Sequence, residues 1–282
     1  MIIWIASYPK SGNTWLRSLV SAYYFSRDGS FDQDNLKLID QFPSKKYLKD
    51  YDYNKKNIGD ASRYWIKAQK KINSEKKIRF FKTHSFLGSF NNNEFTNNEN
   101  TLGAIYIIRD PRNVITSLKN HFDMNYDEAL NFIKSERKFL YDYNKKEDYS
   151  DFQIISSWEK NHQSWKNNKT FPIKFVKYED LSKKTFEVFK DIIEFINYIS
   201  GNKKIFDRTR AIKSLNSTSF EKLKKLEKKE GFDESILSSK DNNKIPFFYL
   251  GPKNDWKKIL KKEIQDDLEK NFQESLKDLD YL

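Results

Sequence analysis

Three short segments hold side chains whose types and spacing suit a charged, phosphate-bearing ligand. The first is Tyr8-Pro9-Lys10-Ser11-Gly12-Asn13-Thr14-Trp15. A small-residue loop between an apolar run and a helical pattern turns successive backbone N–H groups and the positive helix end toward one point. Lys10 adds a point charge there, and Ser11, Asn13 and Thr14 add donors. The lysine precedes the glycine, so this is not the Gly-x-x-x-x-Gly-Lys loop of nucleotide kinases. An ordinary Pro/Gly turn capped by Ser or Thr has the same letters. The second segment, Lys82-Thr83-His84, ends a strand-like run with a cation, a hydroxyl and an imidazole. Histidine is suited to take a proton near neutral pH; a satisfied, half-buried histidine is the plainer alternative. The third segment runs from Arg109 through Asp110-Pro111 to Ser117. Arg109 stands at a strand end, Pro111 fits the first turn of a helix, and Ser117 lies about two turns further on. A guanidinium fork with a hydroxyl suits a second, separate phosphate. A strand-end arginine paired with a carboxylate, beside a solvent-facing serine, is the competing reading. His121 and His162 fall inside predicted helices, away from strand ends, and read as structural.

These groups meet only if strands and helices deliver them to one edge. Residues 2–6, Ile-Ile-Trp-Ile-Ala, form an unbroken apolar run typical of a strand covered on both faces. Apolar spacing at Trp15, Leu16, Leu19, Val20 and Tyr23 predicts a helix directly after Gly12. Further strands are expected at 78–83, 104–108 and 173–178, the one at 104–108 followed by a helix from about Arg112 and the last by one carrying Phe186, Phe189, Ile192, Ile193 and Phe195. Strands alternating with helices predict an α/β fold: a central parallel sheet flanked by helices, opening with a P-loop-like strand–loop–helix. Ligands of such sheets bind at the carboxyl ends of the strands. Residues 31–75 read as helices and loops of weak periodicity, and 91–100 as an asparagine-rich surface loop. Residues 220–231 read as a charged, mobile flap. Leu260, Ile264, Leu268, Phe272, Leu276 and Leu279 read as one amphipathic C-terminal helix. With no repeat and no linker, a single domain is expected over residues 1–282.

Composition narrows the chemistry. With no cysteine among 282 residues, a disulfide scaffold, a thiolate zinc site and a cysteine nucleophile are excluded, and three histidines make a histidine-rich metal centre a poor expectation. No apolar run reaches about 18 residues, and the N-terminus reads as a strand rather than a leader, so a cytoplasmic protein without a transmembrane segment is expected. The formal charge is +12, yet only nine of the 52 basic residues are arginine and lysine pairs such as Lys45-Lys46 and Lys145-Lys146 are spread along the chain. That is a solvated surface rather than a nucleic-acid stripe, so no nucleic-acid partner is expected. The positive field favours an anionic small ligand.

Together the motifs resemble the sulfotransferase family that uses 3′-phosphoadenosine 5′-phosphosulfate (PAPS). Residues 8–15 look like its 5′-phosphosulfate loop, and Arg109 with Ser117 resembles its 3′-phosphate motif. Lys82-Thr83-His84 is similar to the segment with its catalytic histidine, and Val176–Leu181 to the one whose tyrosine, here Tyr178, meets the adenine. Thr218-Ser219-Phe220 looks like its adenine-side clamp, and Asp255-Trp256-Lys257 like the end of its C-terminal loop motif. The match runs in order over nearly the whole chain. It implies sulfuryl transfer from PAPS, without metal, to a hydroxyl or amine of a small-molecule, carbohydrate or lipid acceptor. The implied catalytic residues are His84, Lys10 and Lys82. The implied cofactor residues are Lys10, Ser11, Gly12, Asn13, Thr14, Trp15, Arg109, Ser117, Tyr178, Thr218, Phe220 and Gly251. The family's usual Arg-Lys-Gly triplet is Tyr249-Leu250-Gly251 here, two cations short, and its C-terminal dimerisation signature is not recognisable. Residues 31–75, 86–100 and 220–245 are expected around the acceptor, with Trp65, Phe86, Phe90 and Phe122 as aromatic candidates. The rival readings are a small-molecule kinase with a P-loop, for which Asp110 would have to hold magnesium, and a nucleotide-binding protein without catalysis.

Overall fold

The computed structural model describes residues 1–141, 147–238 and 241–282. Lys145-Lys146 and positions 239–240 of the expected acceptor-side segment lie outside the described residues. Five parallel strands form the central sheet: β1 (Ile2–Ala6), β2 (Asp40–Gln41), β3 (Arg79–Thr83), β4 (Thr101–Ile108) and β5 (Ile173–Lys177), in the order β2-β3-β1-β4-β5. β1 is central and buried at every position, which is why its sequence is apolar without alternation. Its side chains still alternate between two cores. Ile2, Trp4 and Ala6 face one, with Phe81, Tyr106, Trp158 and Trp165. Ile3 and Ile5 face the other, with Leu16, Leu19, Val20, Phe189 and Ile192.

The helices fall where the periodicity predicts: α1 (Asn13–Phe25) after β1, α2 (Pro111–His121) after β4, α3 (Trp158–Lys166) before β5, and α4 (Thr185–Ile199) after it. Asp110 caps α2, accepting from Arg112 N, with Pro111 in the first turn. Asp110 is thus committed as a helix cap and as the partner of Arg112, rather than standing open for the magnesium that the kinase reading needs. Strand β2 has no counterpart in the sequence reading; two residues carry too short a pattern to register. Within 91–100, Asn93–Glu94 pairs with Ser89–Phe90 in a small hairpin, so that segment is not wholly loop.

Two more readings need correction. Residues 220–230 form α6 (Phe220–Glu230), which follows α5 (Arg208–Ser217), but α6 is not without core contacts. Leu223 is buried against Leu36, Phe232 and Phe248 in a small third cluster. The C-terminal apolar row is not one helix. It is carried by Trp256–Ile259, α7 (Lys262–Asn271) and Gln273–Asp278, broken at Leu260 and Phe272, whose backbones leave helical geometry. The apolar side chains stay buried throughout because each break re-aims the next turn onto the same core.

Candidate active site

Strand register sets the geometry. Ala6 pairs with Thr83 on one side and with Tyr106 on the other, and Ile108 pairs with Lys177. Ser7, His84, Arg109 and Tyr178 are thus each one residue beyond their strands at the same carboxyl edge. A cleft of about 1520 Å³ opens there, lined by Lys10, Gly12, Asn13, Thr14, Trp15, Lys82, His84, Arg109, Ser117, Tyr178, Phe220 and Gly251. Small-ligand sites commonly hold about 300–1,000 Å³, so this one has room for a nucleotide and a second molecule. Of the implied catalytic and cofactor residues, two are absent from the lining. Ser11 is fully buried beneath the loop, and Thr218 closes α5 by donating from Oγ1 to the Ser214 carbonyl at 2.8 Å.

The loop after β1 is held open by backbone shape. Lys10 has φ 64 and Gly12 φ 101, both left-handed. At Gly12 a Cβ would stand 2.5 Å from a ring carbon of Tyr178, so glycine is required by space as well as by conformation. Asn13 does not extend both amide donors to the cleft: Nδ2 donates to the Ile5 carbonyl at 3.0 Å and to Ser7 Oγ at 3.2 Å. Buried polar atoms around this edge without a hydrogen-bond partner among the described residues include Lys10 Nζ, Ser11 Oγ, Asn13 Oδ1 and Arg109 Nε. Orphans of this kind are uncommon in folded proteins, and Lys10 Nζ and Arg109 Nε belong to residues that line the cleft, where a ligand could satisfy them. Burial, with Lys82 and Arg109 adding to it against the pull of Glu234, brings the Lys10 ammonium down to about 7. That ammonium lies 3.7 Å from the centre of the Phe247 ring.

His84 is fixed from three sides. Its backbone N–H donates to Gln153 Oε1 at 2.7 Å, and its carbonyl accepts from Asn161 Nδ2 at 2.9 Å. Nδ1 lies 2.9 Å from the Ser7 carbonyl. A carbonyl only accepts, so Nδ1 carries the hydrogen and Nε2 is left with the lone pair. Burial first and Lys82 second push the imidazole down to about 3, leaving it neutral across the physiological range. The Arg109 guanidinium sits 4.1 Å from the centre of the Tyr178 ring, and Tyr178 meets Trp15 edge-on at 5.7 Å.

Several lining residues escaped the sequence reading. His121, taken as structural, ends α2 facing the cleft, wedged between Phe122 and Phe247; burial and then Lys10 push it down to about 2. His162 does keep a structural place, with Nδ1 at 3.0 Å from the Trp158 carbonyl. Of the aromatic candidates, Phe122 lines the cleft, whereas Trp65 is wholly buried against Phe95 and Phe152 and Phe90 packs on Phe139 and Phe152. Tyr249 and Leu250 line the cleft beside Gly251 where a cation pair was expected, and Lys253 does not; the lining lysines among the described residues are Lys10, Lys82 and Lys222. The largest omission is Glu234, which accepts from Thr14 Oγ1 at 2.7 Å, Arg17 Nη1 at 2.6 Å and Lys82 Nζ at 2.9 Å.

Comparison with known proteins agrees with this architecture. A family model described as the sulfotransferase domain matches residues 2–280. The flavonol 3-sulfotransferase of Flaveria bidentis is 26% identical over 97% of this chain and 81% of its own length. A mouse sulfotransferase, SULT7A1, solved in complex with PAP, superposes with a TM-score of 0.54 at 20% identity over 99% of this chain and 84% of that one. Retinol dehydratase, solved with androsterone and the inactive cofactor PAP, superposes with a TM-score of 0.56 at 16% identity, covering 98% of this chain and 81% of that one.

Proposed function

The chain belongs to the sulfotransferase domain family, and from that premise we propose that it moves a sulfuryl group from PAPS to the hydroxyl of a hydrophobic small molecule. The observation that carries the cofactor reading is the set of orphaned donors at the strand edge. Lys10 Nζ at the first loop and Arg109 Nε at the end of β4 lack partners among the described residues. They fit a ligand with two separate anionic groups. Lys10, Gly12 and Thr14 would hold the 5′ end, with Ser11 supporting the loop from beneath. Arg109 and Ser117 would hold the 3′-phosphate, while Trp15, Tyr178 and Phe220 enclose the base beside Gly251. Asn13 contributes through Ser7, and Thr218 through the end of α5. Lys222 is a further cation in the lining, while Tyr249 and Leu250 supply none.

Bound there, PAPS supplies the sulfuryl group that the acceptor oxygen takes from the bridging oxygen of the 5′-phosphate. The protein's part is positioning and charge stabilisation. His84 Nε2 takes the acceptor proton, since Ser7 fixes the hydrogen on Nδ1. Lys10 and Lys82 supply positive charge where negative charge grows. The acceptor end of the cleft is lined by Phe122, Met124, Leu140 and Tyr141, a wall that favours an aromatic or otherwise apolar alcohol over a sugar.

Calorimetric titration with PAP, AMP and ATP tests the reading. Tight PAP binding that depends on the 3′-phosphate is the expected result. PAP binding no stronger than AMP binding would reject it, and preferential binding of ATP would favour a kinase.

A further inference from the structure

Glu234 stands among the donors that should hold the cofactor. It follows α6, three residues past Gly231, whose φ of 80 turns the chain back across the cleft. Phe232 packs against Phe247 and Phe248, and Glu227 on α6 accepts from the backbone N–H groups of Phe247 and Phe248 at 2.6 and 3.0 Å and from Ser235 Oγ at 2.9 Å. That small scaffold lays residues 232–236 over the first loop. Glu234 then reaches down to Thr14, Arg17 and Lys82, while Lys10 Nζ, lying over Phe247, has no hydrogen bond to it or to any other described residue.

A carboxylate with a hydroxyl and two cations around it is bound as an external oxyanion would be. Burial opposes its ionisation, yet Lys82 and Arg17 hold the carboxyl well below the usual carboxylate range, so Glu234 is charged at neutral pH. Arg17 is itself buried, its side chain 7% exposed, and lies one helical turn beyond the loop. It therefore extends the cationic site deeper than the loop residues alone.

We propose that Thr14, Arg17 and Lys82 form one anion subsite and that Glu234 is its resident occupant, which the 5′-phosphosulfate end of the cofactor displaces on binding. The proposal rests on the reading of the cleft as a PAPS site. It makes Arg17 a cofactor-binding residue and Glu234 a competitor built into the chain. Two buried cations, Arg17 and Lys82, share the one negative charge of Glu234. The observed affinity for PAPS or PAP is then the intrinsic affinity reduced by the fraction of molecules whose subsite is free. When the sulfuryl group has left, the same carboxylate can return and hasten PAP release.

The test compares wild type with Glu234→Gln, Glu234→Asp and, as a control for net charge, Asp233→Asn at the exposed neighbouring position. PAP affinity is measured by calorimetry, and thermal stabilisation by inorganic sulfate is measured alongside. Glu234→Gln is expected to bind PAP about tenfold or more tightly and to gain stabilisation by sulfate. Glu234→Asp, charged but one methylene shorter, is expected to fall between it and wild type. This second variant decides the matter should the glutamine variant fail to fold. Asp233→Asn should bind PAP as wild type does. With PAP binding measurable in wild type, unchanged or weaker PAP binding by the Glu234 variants would overturn the proposal, as would an equal gain in Asp233→Asn. If no variant bound PAP but Glu234→Gln gained sulfate stabilisation, the displaced carboxylate would stand and the PAPS reading would fall.

Discussion

Lys10 and His84 are tuned in a way that makes their roles separable by pH. His84 is neutral above about 3, so it contributes no rising limb near 6.5 to the free-enzyme profile. Lys10, brought down to about 7, must carry its proton for the leaving-group role proposed for it. The expected kcat/KM for PAPS therefore falls as pH rises through about 7, with no matching rise between pH 5 and 7. A profile flat to pH 9 would remove Lys10 from the reaction. Stability moves the other way. The unfolded chain keeps the Lys10 proton up to the ordinary lysine value of 10.5 while the fold releases it near 7, so this group favours folding increasingly from about 7 to 10.5. Replacing His84 by Ala should lower kcat roughly 10²–10⁴-fold with PAP affinity retained, and normal turnover would refute a proton-accepting role. Lys10, Lys82, His84 and Arg109 were legible in the sequence because each belongs to a local strand-end motif. Gln153, Asn161 and Glu234 were not: they reach the site from 69, 77 and 220 residues away, and nothing local announces the pairing.

Among elements, the loop that closes the cleft opposite α1 is defined by what it lacks. Gly251 has φ 54, and a Cβ there would stand 2.3 Å from the Phe220 ring. The ring must lie flat against the backbone at this point, so glycine here positions the start of α6. Replacing Gly251 by Ala should cost on the order of 1–3 kcal/mol from the left-handed backbone alone. It should also push Phe220 toward the cleft and weaken binding of every adenine nucleotide alike. Urea unfolding and AMP titration would check both parts, and an alanine variant with unaltered AMP affinity would show that Phe220 does not touch the base. The same loop is stapled to α2: Asn254 donates to the Asn113 carbonyl at 2.8 Å, and Asn113 Oδ1 accepts from the Trp256 backbone at 3.1 Å. The core strands and α1 could be read from periodicity alone because burial dictates their pattern. The breaks at Leu260 and Phe272 could not, because the apolar spacing runs straight through them.

At the scale of the whole molecule, Arg112 connects the C-terminal segment to the phosphate-binding edge. Its guanidinium reaches Asp110 at 2.8 Å, Glu269 on α7 at 2.6 Å and the Tyr281 carbonyl at 2.6 Å, and it lies 3.9 Å from the centre of the Trp256 ring. Only 3% of the side chain is exposed. The residue before Asp110 is Arg109, the proposed 3′-phosphate fork, so that residue adjoins a capping carboxylate that Arg112 pairs with. Removing the guanidinium leaves the Asp110 carboxylate buried without its cation and frees α7 from α2. Breaking a buried pair from one side costs about 3–5 kcal/mol, so Arg112→Ala should lower the urea midpoint by that equivalent. Arg112→Met, which refills the volume, cannot restore the charge balance and should recover only part of the loss. Paired with Asp110→Asn, the methionine variant should regain more, since the stranded charge is then gone. A loss below about 1 kcal/mol in the single alanine variant, the size of an ordinary exposed ion pair, would mean that packing of Leu268, Phe272 and Leu276 alone holds the C-terminal segment in place.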